Sequence, residues 1–151
     1  MSSALRIALT LTDGLFIAYW TLAALSVLGW VSIPDAWLYA EADNPKVVAW
    51  NWSFLPLDIA FSVAGILAVR YASFQHSAWR PWALISLVLT MVAGTMAVGY
   101  WTLLQEFNWL WFLPNLALVL WPLAFLPQLI SDMTHTSESA RQRTDLGATP
   151  G

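Results

Sequence analysis

Two carboxylic acids, Asp13 and Asp58, two carboxamides, Asn51 and Asn115, and one hydroxyl, Thr90, stand inside the most apolar stretches of this chain. An aspartate at the middle of a bilayer costs about 2.5–3.5 kcal/mol on insertion scales, and such residues ordinarily mark function. Removal from water disfavours the charged form of a carboxyl, so each acid is expected to carry its proton. A protonated acid among aromatic side chains can give its proton to an alkene or an imine, or exchange it for a cationic solute. Asp58 and Asp13 are therefore the candidate catalytic acids. Asn51, Trp52, Asn115, Trp101 and Thr90 are the candidate ligand-binding residues. The structural alternative is that Asp58 is hydrogen-bonded to Thr90 or Asn115, and that the amides hold helices together.

The composition sets the environment of these groups. Of 151 residues, 59% are hydrophobic and 10% are charged. A soluble domain carries about a quarter charged residues. Here short polar clusters separate long apolar runs, the pattern of a polytopic membrane protein. With no cysteine in the chain, disulfides, thiolate chemistry and cysteine-ligated metal centres are excluded. His76 and His135 have no neighbours at metal-ligand spacing, so no metal and no cofactor are expected. The net charge of −3 and the lack of a basic tract argue against a nucleic-acid partner.

Four apolar spans are predicted, over about 5–31, 47–71, 82–104 and 112–130. Each reaches the roughly 20 residues needed to cross a hydrocarbon core. The first is too long, and too rich in Trp and Asp, for a cleaved signal peptide. Four spans put both termini and the 71–81 loop on one side, with Arg6, Arg70, Arg80, Arg141 and Arg143. The other side has only Lys46. By the positive-inside rule the termini are cytoplasmic. The expected fold is all-α: an integral membrane four-helix bundle of the cell (inner) membrane, residues 1–130, followed by a disordered cytoplasmic tail over 131–151.

The spans must position the polar groups. At about 1.5 Å per residue from the cytoplasmic anchors, Asp13 lies roughly 10 Å deep, Thr90 12 Å, Asp58 18 Å, Asn115 22 Å and Asn51 28 Å. Asn51, Leu55, Asp58, Ser62 and Gly65 share one helical stripe, and Thr10, Asp13, Ile17, Trp20 and Ala24 form another. Both stripes are expected to face the bundle interior. Pro56 is expected to bend a continuous second span, the alternative being a helix that starts near Ser53. Of the eleven tryptophans, Trp30, Trp37, Trp50, Trp52, Trp101, Trp109 and Trp111 gather toward the outer side. Against the reading as an aromatic belt, that asymmetry points to rings lining a pocket for an apolar or cationic ligand.

The blocks "TDGLFIAYW" (12–20), "NPKVVAWNWSFLPLDIAFS" (44–62) and "WFLPNLALVLWPLAFLPQLI" (111–130) resemble the small four-helix bacterial membrane proteins of unknown function typified by YvaD. The likeness covers about residues 10–130 and implies the fold, not an activity. Membrane-embedded isoprenoid cyclases and sterol isomerases are similar only in the theme of a carboxyl among aromatic rings. Small multidrug exporters are similar in having four short helices and an acid in the first, but lack an acid like Asp58. Three readings follow. The chain binds or transforms an apolar, lipid- or isoprenoid-like ligand, with Asp58 as acid. Alternatively it is a proton-coupled exporter, a role for which four helices call for a homo-oligomer. Or it is an accessory subunit whose buried polar groups hold a partner helix.

Overall fold

The structure is a computed structural model and describes residues 1–38, 41, 43–105 and 107–135. Among these, every regular element is helical. Four helices are long and apolar enough to cross a membrane: Ser3–Val27, Pro45–Ser73, Trp79–Leu104 and Trp109–His135, of 25, 29, 26 and 27 residues. In chain order the elements are α1 (Ser3–Val27), α2 (Asp35–Leu38), α3 (Pro45–Trp52), α4 (Leu55–Ser73), α5 (Trp79–Leu104) and α6 (Trp109–Leu123). Helices α3 and α4 together make the second span, and the fourth span continues past α6 as helix over 126–135. It thus runs beyond Ile130, where the sequence expectation ended it. The remainder of the expected disordered tail, 136–151, lies outside the described residues.

The helix ends are set by side chains and by glycine. The Ser2 hydroxyl accepts from Leu5 N at 3.2 Å and opens α1. Asn44 accepts from Lys46 N at 3.1 Å with Pro45 at the first helical position, and Asn108 accepts from Leu110 N at 3.1 Å. These caps satisfy amides that have no intrahelical partner. The apolar run of the first span extends to Val31, yet α1 stops at Val27. Gly29 adopts φ +73°, and Trp30 N donates to Leu25 O at 3.0 Å while Gly29 N donates to Ser26 O at 3.0 Å. That pair of bonds closes a helix when a glycine can take the left-handed conformation.

The tripeptide Phe-Leu-Pro occurs at 54–56, 112–114 and 125–127, and two of the three bend a span. Pro56 brings no N–H to the Trp52 carbonyl, and its ring crowds that group. The residues before it tighten: Ser53 N donates to both Ala49 O and Trp50 O at 3.1 Å, and Phe54 N to Asn51 O at 3.1 Å. Ser53 and Phe54 keep right-handed helical dihedrals, so the second span bends without ending, as expected. The same occurs before Pro127, where Ala124 N reaches Trp121 O and Phe125 N reaches Pro122 O.

The spans pack in series: α1 on α4, α4 on α5, α5 on α6. Trp20 meets Asp58 and Asp13 meets Gly65, so numbers fall along α4 as they rise along α1 and the two run antiparallel. Two apolar clusters make the core. One, toward the 28–44 connection, is built around Trp20, Phe54, Phe61, Ala93 and Ala97. The other, toward the N-terminus, holds Leu5, Leu9, Ala68, Ala83, Leu87 and Leu129. In sequence, Asp13, Ser62, Ser86 and Thr90 fall between the members of these clusters on their own helices, and all four are buried.

Candidate functional site

A cleft of about 370 Å³ opens between the first and fourth spans, which the serial packing leaves unpacked against each other in this half of the bundle. Thr12, Leu15, Phe16, Tyr19 and Trp20 of α1 form one wall, and Leu110, Trp111, Pro114, Asn115 and Leu118 of α6 the other. The back is made by Trp50 and Asn51 of α3, Phe54, Asp58 of α4, and Ala93, Ala97 and Trp101 of α5. Toward the N-terminal end, Leu5 and Leu9 share an apolar cluster with Leu129 of the fourth span, which closes the gap there. Leu15 and Leu110 on the rim are 68% and 74% exposed.

The cleft owes its width to small residues on α5. Ala93 and Ala97 give its back little bulk. At Gly94 a Cβ would lie 2.7 Å from the Asn115 carbonyl oxygen and 2.9 Å from Leu118 Cβ, so the missing side chain lets α5 approach the backbone of α6 closely.

Asp58 is 4% exposed. Its Oδ2 accepts a hydrogen bond of 2.9 Å from Trp20 Nε1, whereas Oδ1 has no partner. The indole can only donate, so the bond fixes which oxygen is engaged. Interhelical bonds of this kind contribute about 0.6–2 kcal/mol in membranes. The partner differs from the expected Thr90 or Asn115. The Thr90 hydroxyl donates to its own helix at Ser86 O, 2.8 Å, and Asn115 Nδ2 donates to Trp111 O at 2.7 Å. Both satisfy themselves one turn back, the commonest local bond for such side chains in helices. Asn51 Nδ2 donates to the Tyr19 hydroxyl at 3.0 Å, and that hydroxyl donates to Leu38 O at 2.9 Å. This chain ties the second span to the first and to α2.

Of the residues singled out from sequence, Asp58, Asn51, Asn115 and Trp101 line the cleft, and Asp13, Trp52 and Thr90 do not. The Trp52 ring packs behind Trp20 at 5.3 Å. Phe16, Tyr19, Trp20 and Phe54 line it without having been singled out as site residues, and Trp50 was expected only as one of the outer tryptophans. Trp20 was within reach of sequence reasoning, since it shares the Asp13 stripe. The outer tryptophans divide: Trp50, Trp101 and Trp111 line the cleft, with Trp50 stacked on Tyr100 at 4.0 Å, while Trp30, Trp37 and Trp109 are exposed. Among the described residues, no three His, Cys, Asp or Glu side chains gather in a way that could hold a metal ion.

Asp13 is a separate feature. It is 1% exposed and neither carboxyl oxygen has a hydrogen-bond partner; nor do the buried hydroxyls of Ser62 and Ser86. Its carboxyl occupies the space where Gly65 has no side chain. Gly65→Ala is therefore expected to lower stability by about 1–3 kcal/mol through overpacking, although alanine is the better helix former by roughly 1 kcal/mol. Adding Asp13→Ala should restore most of the loss. Thermal unfolding in detergent measures both, and strictly additive costs in the double variant would show that the two residues do not meet.

The profile of a family described as "Family of unknown function (DUF5360)" matches residues 5–136. The "Uncharacterized protein YvaD" of Bacillus subtilis (strain 168) is 37% identical over 135 residues, 89% of this chain and 98% of the relative. No solved structure matches the chain.

Proposed function

As the chain belongs to the DUF5360 family, whose function is unknown, its role has to come from the chemistry of the cleft, and we propose that it binds or transforms an apolar, lipid- or isoprenoid-like ligand there, with Asp58 as the acid. The observation that carries this is one buried carboxyl oxygen without a partner, Asp58 Oδ1, in a cleft otherwise lined mainly by apolar and aromatic side chains. Ligand sites have this make-up: apolar walls for affinity and a few polar groups for orientation. Asn51, Asn115 and Trp101 hold the ligand in this reading, and Tyr19 and Trp20 hold the groups that contact it. The exporter alternative needs a route through the whole thickness of the bundle, where the cluster of Leu5, Leu9 and Leu129 stands; the accessory-subunit alternative leaves Asp58 Oδ1 without a task.

Binding is tested by filling the cleft. Ala97 is 4% exposed and lies at its back. Protein purified in mild detergent should retain an apolar host molecule, detected by extraction and mass spectrometry. Ala97→Phe should lose most of it at unchanged folding. Equal extracts from the two proteins would end the binding reading.

The same proposal sets the protein in the cell (inner) membrane with both termini cytoplasmic, supported by five arginines on the terminal side against Lys46 on the other. A reporter that is active only outside the cytoplasm should work when inserted within 35–43 and fail when fused after Arg143. Activity of the fusion after Arg143 would reverse the topology.

A further inference from the structure

Asp58, Asn51 and Asn115 bring carboxyl and amide oxygens to the cleft, where the Thr12 hydroxyl and the indole N–H groups of Trp50, Trp101 and Trp111 can donate. Asp58 Oδ2 is engaged by Trp20, leaving Oδ1. The Tyr19 hydroxyl gives its hydrogen to Leu38 O, so toward Asn51 it can only accept, and the amide nitrogen must be the atom beside it. The Trp111 carbonyl likewise accepts only, so the Asn115 nitrogen faces it. Both amide orientations are thereby fixed by chemistry, not by choice of rotamer. One N–H of each amide is given to a protein group, and neither amide oxygen is engaged by a described residue. No lysine or arginine lines the cleft. The cleft thus sets one carboxyl and two amide oxygens, with no basic side chain, among the rings of Phe16, Trp50 and Trp101.

We propose that the ligand of this cleft carries an amine head on an apolar body. This rests on the cleft being a ligand site, as proposed above, and names the chemistry it selects. An amine answers the carboxyl and the aromatic faces of the site. When Asp58 meets a neutral amine, its O–H bond breaks and an N–H bond forms. The product is a carboxylate beside an ammonium, and the pair as a whole stays neutral. The ammonium donates to the Asp58 carboxylate, and charge-assisted bonds of this type are about twice as strong as neutral ones. Aromatic faces add attraction for the cation. An alcohol has one donor and no charge. A carboxylate or phosphate has no donor to offer and would find a carboxyl and no basic side chain.

The test uses chains that differ only in the head: 12-bromododecylamine, 12-bromododecanol and 12-bromododecanoate, titrated into protein in nanodiscs of zwitterionic lipid. Bromine quenches tryptophan, and the cleft holds Trp20, Trp50, Trp101 and Trp111. Quenching in wild type in excess of that in Ala97→Phe reports the cleft alone; Leu118→Phe is the second filling variant should the first fail to fold. The amine should half-saturate this signal at a mole fraction about tenfold below the alcohol, with the bromododecanoate weakest. Asp58→Asn should remove the advantage of the amine and spare the alcohol. If the three heads quench alike, or the carboxylate leads, the amine proposal is overturned and the cleft remains a ligand site. If none quenches beyond the filled variants, the cleft reading falls, and the amine proposal with it.

Discussion

Gly94→Ala is expected to open the α5–α6 contact and abolish binding in the cleft. The added methyl would meet the Asn115 carbonyl oxygen at 2.7 Å, Leu118 Cβ at 2.9 Å and Val119 Cγ2 at 3.0 Å. The first of these is backbone, so no side-chain rotation relieves it. The helices must separate, at a cost of about 1–3 kcal/mol for overpacking. Asn115 and Leu118 move with α6, so the wall of the cleft moves too. Gly99 supplies the control on the same helix, because nothing stands within 4 Å of a Cβ there. Gly99→Ala should be neutral or mildly stabilising, since alanine is favoured over glycine in a helix by roughly 1 kcal/mol. The measurements are the thermal unfolding midpoint and retention of bound apolar molecules. Equal behaviour of the two variants would mean that the close approach at Gly94 is not what shapes the cleft.

The second large effect is expected at Asp58, where two substitutions separate stability from function. Asp58→Asn keeps an oxygen that can accept from Trp20 Nε1 but removes the acidic proton. It should fold and insert like the wild type and lose ligand retention or turnover. Asp58→Leu leaves the indole N–H of a tryptophan that is 3% exposed without a partner, a loss of about 1–3 kcal/mol, so its unfolding midpoint should fall. Full function in Asp58→Asn at equal membrane abundance would remove the acid role. Asp13→Asn runs alongside: Asp13 does not line the cleft, so loss of function there but not at Asp58 would move the argument to a proton-coupled exporter.

How much of this could be read from the chain varies by residue. The four helices were legible because a hydrocarbon layer demands a run of about 20 apolar residues wherever it is crossed. Their ends were less so. Val31 is as apolar as Val27, and only the conformation of Gly29 stops α1 between them. The stripe joining Asn51 to Asp58 survives because Ser53 and Phe54 remain helical through the bend, so the count across Pro56 is nearly kept. The partner of Asp58 was not legible. Trp20 lies on another helix, and which face of α1 meets α4 depends on packing that no local period encodes. Thr90 could have been judged better, since a threonine within a helix commonly bonds the carbonyl one turn back. The burial of Asp13 over Gly65 also needs two helices in register, although a glycine on the Asp58 stripe marked where a close neighbour could stand.

The rim of the cleft, with Leu15 and Leu110 largely exposed, bears on how occupancy must be counted. If the cleft is the ligand site proposed above, an opening rimmed by leucine between two helices long and apolar enough to cross a membrane would exchange with hydrocarbon, and the reservoir that fills it would be the lipid phase. Diluting a membrane suspension with buffer would leave the site as full as before. Adding empty vesicles would drain it, because the guest spreads over more lipid. Saturation curves drawn against aqueous concentration would shift with the amount of lipid in the cuvette, and curves drawn per lipid molecule would superimpose.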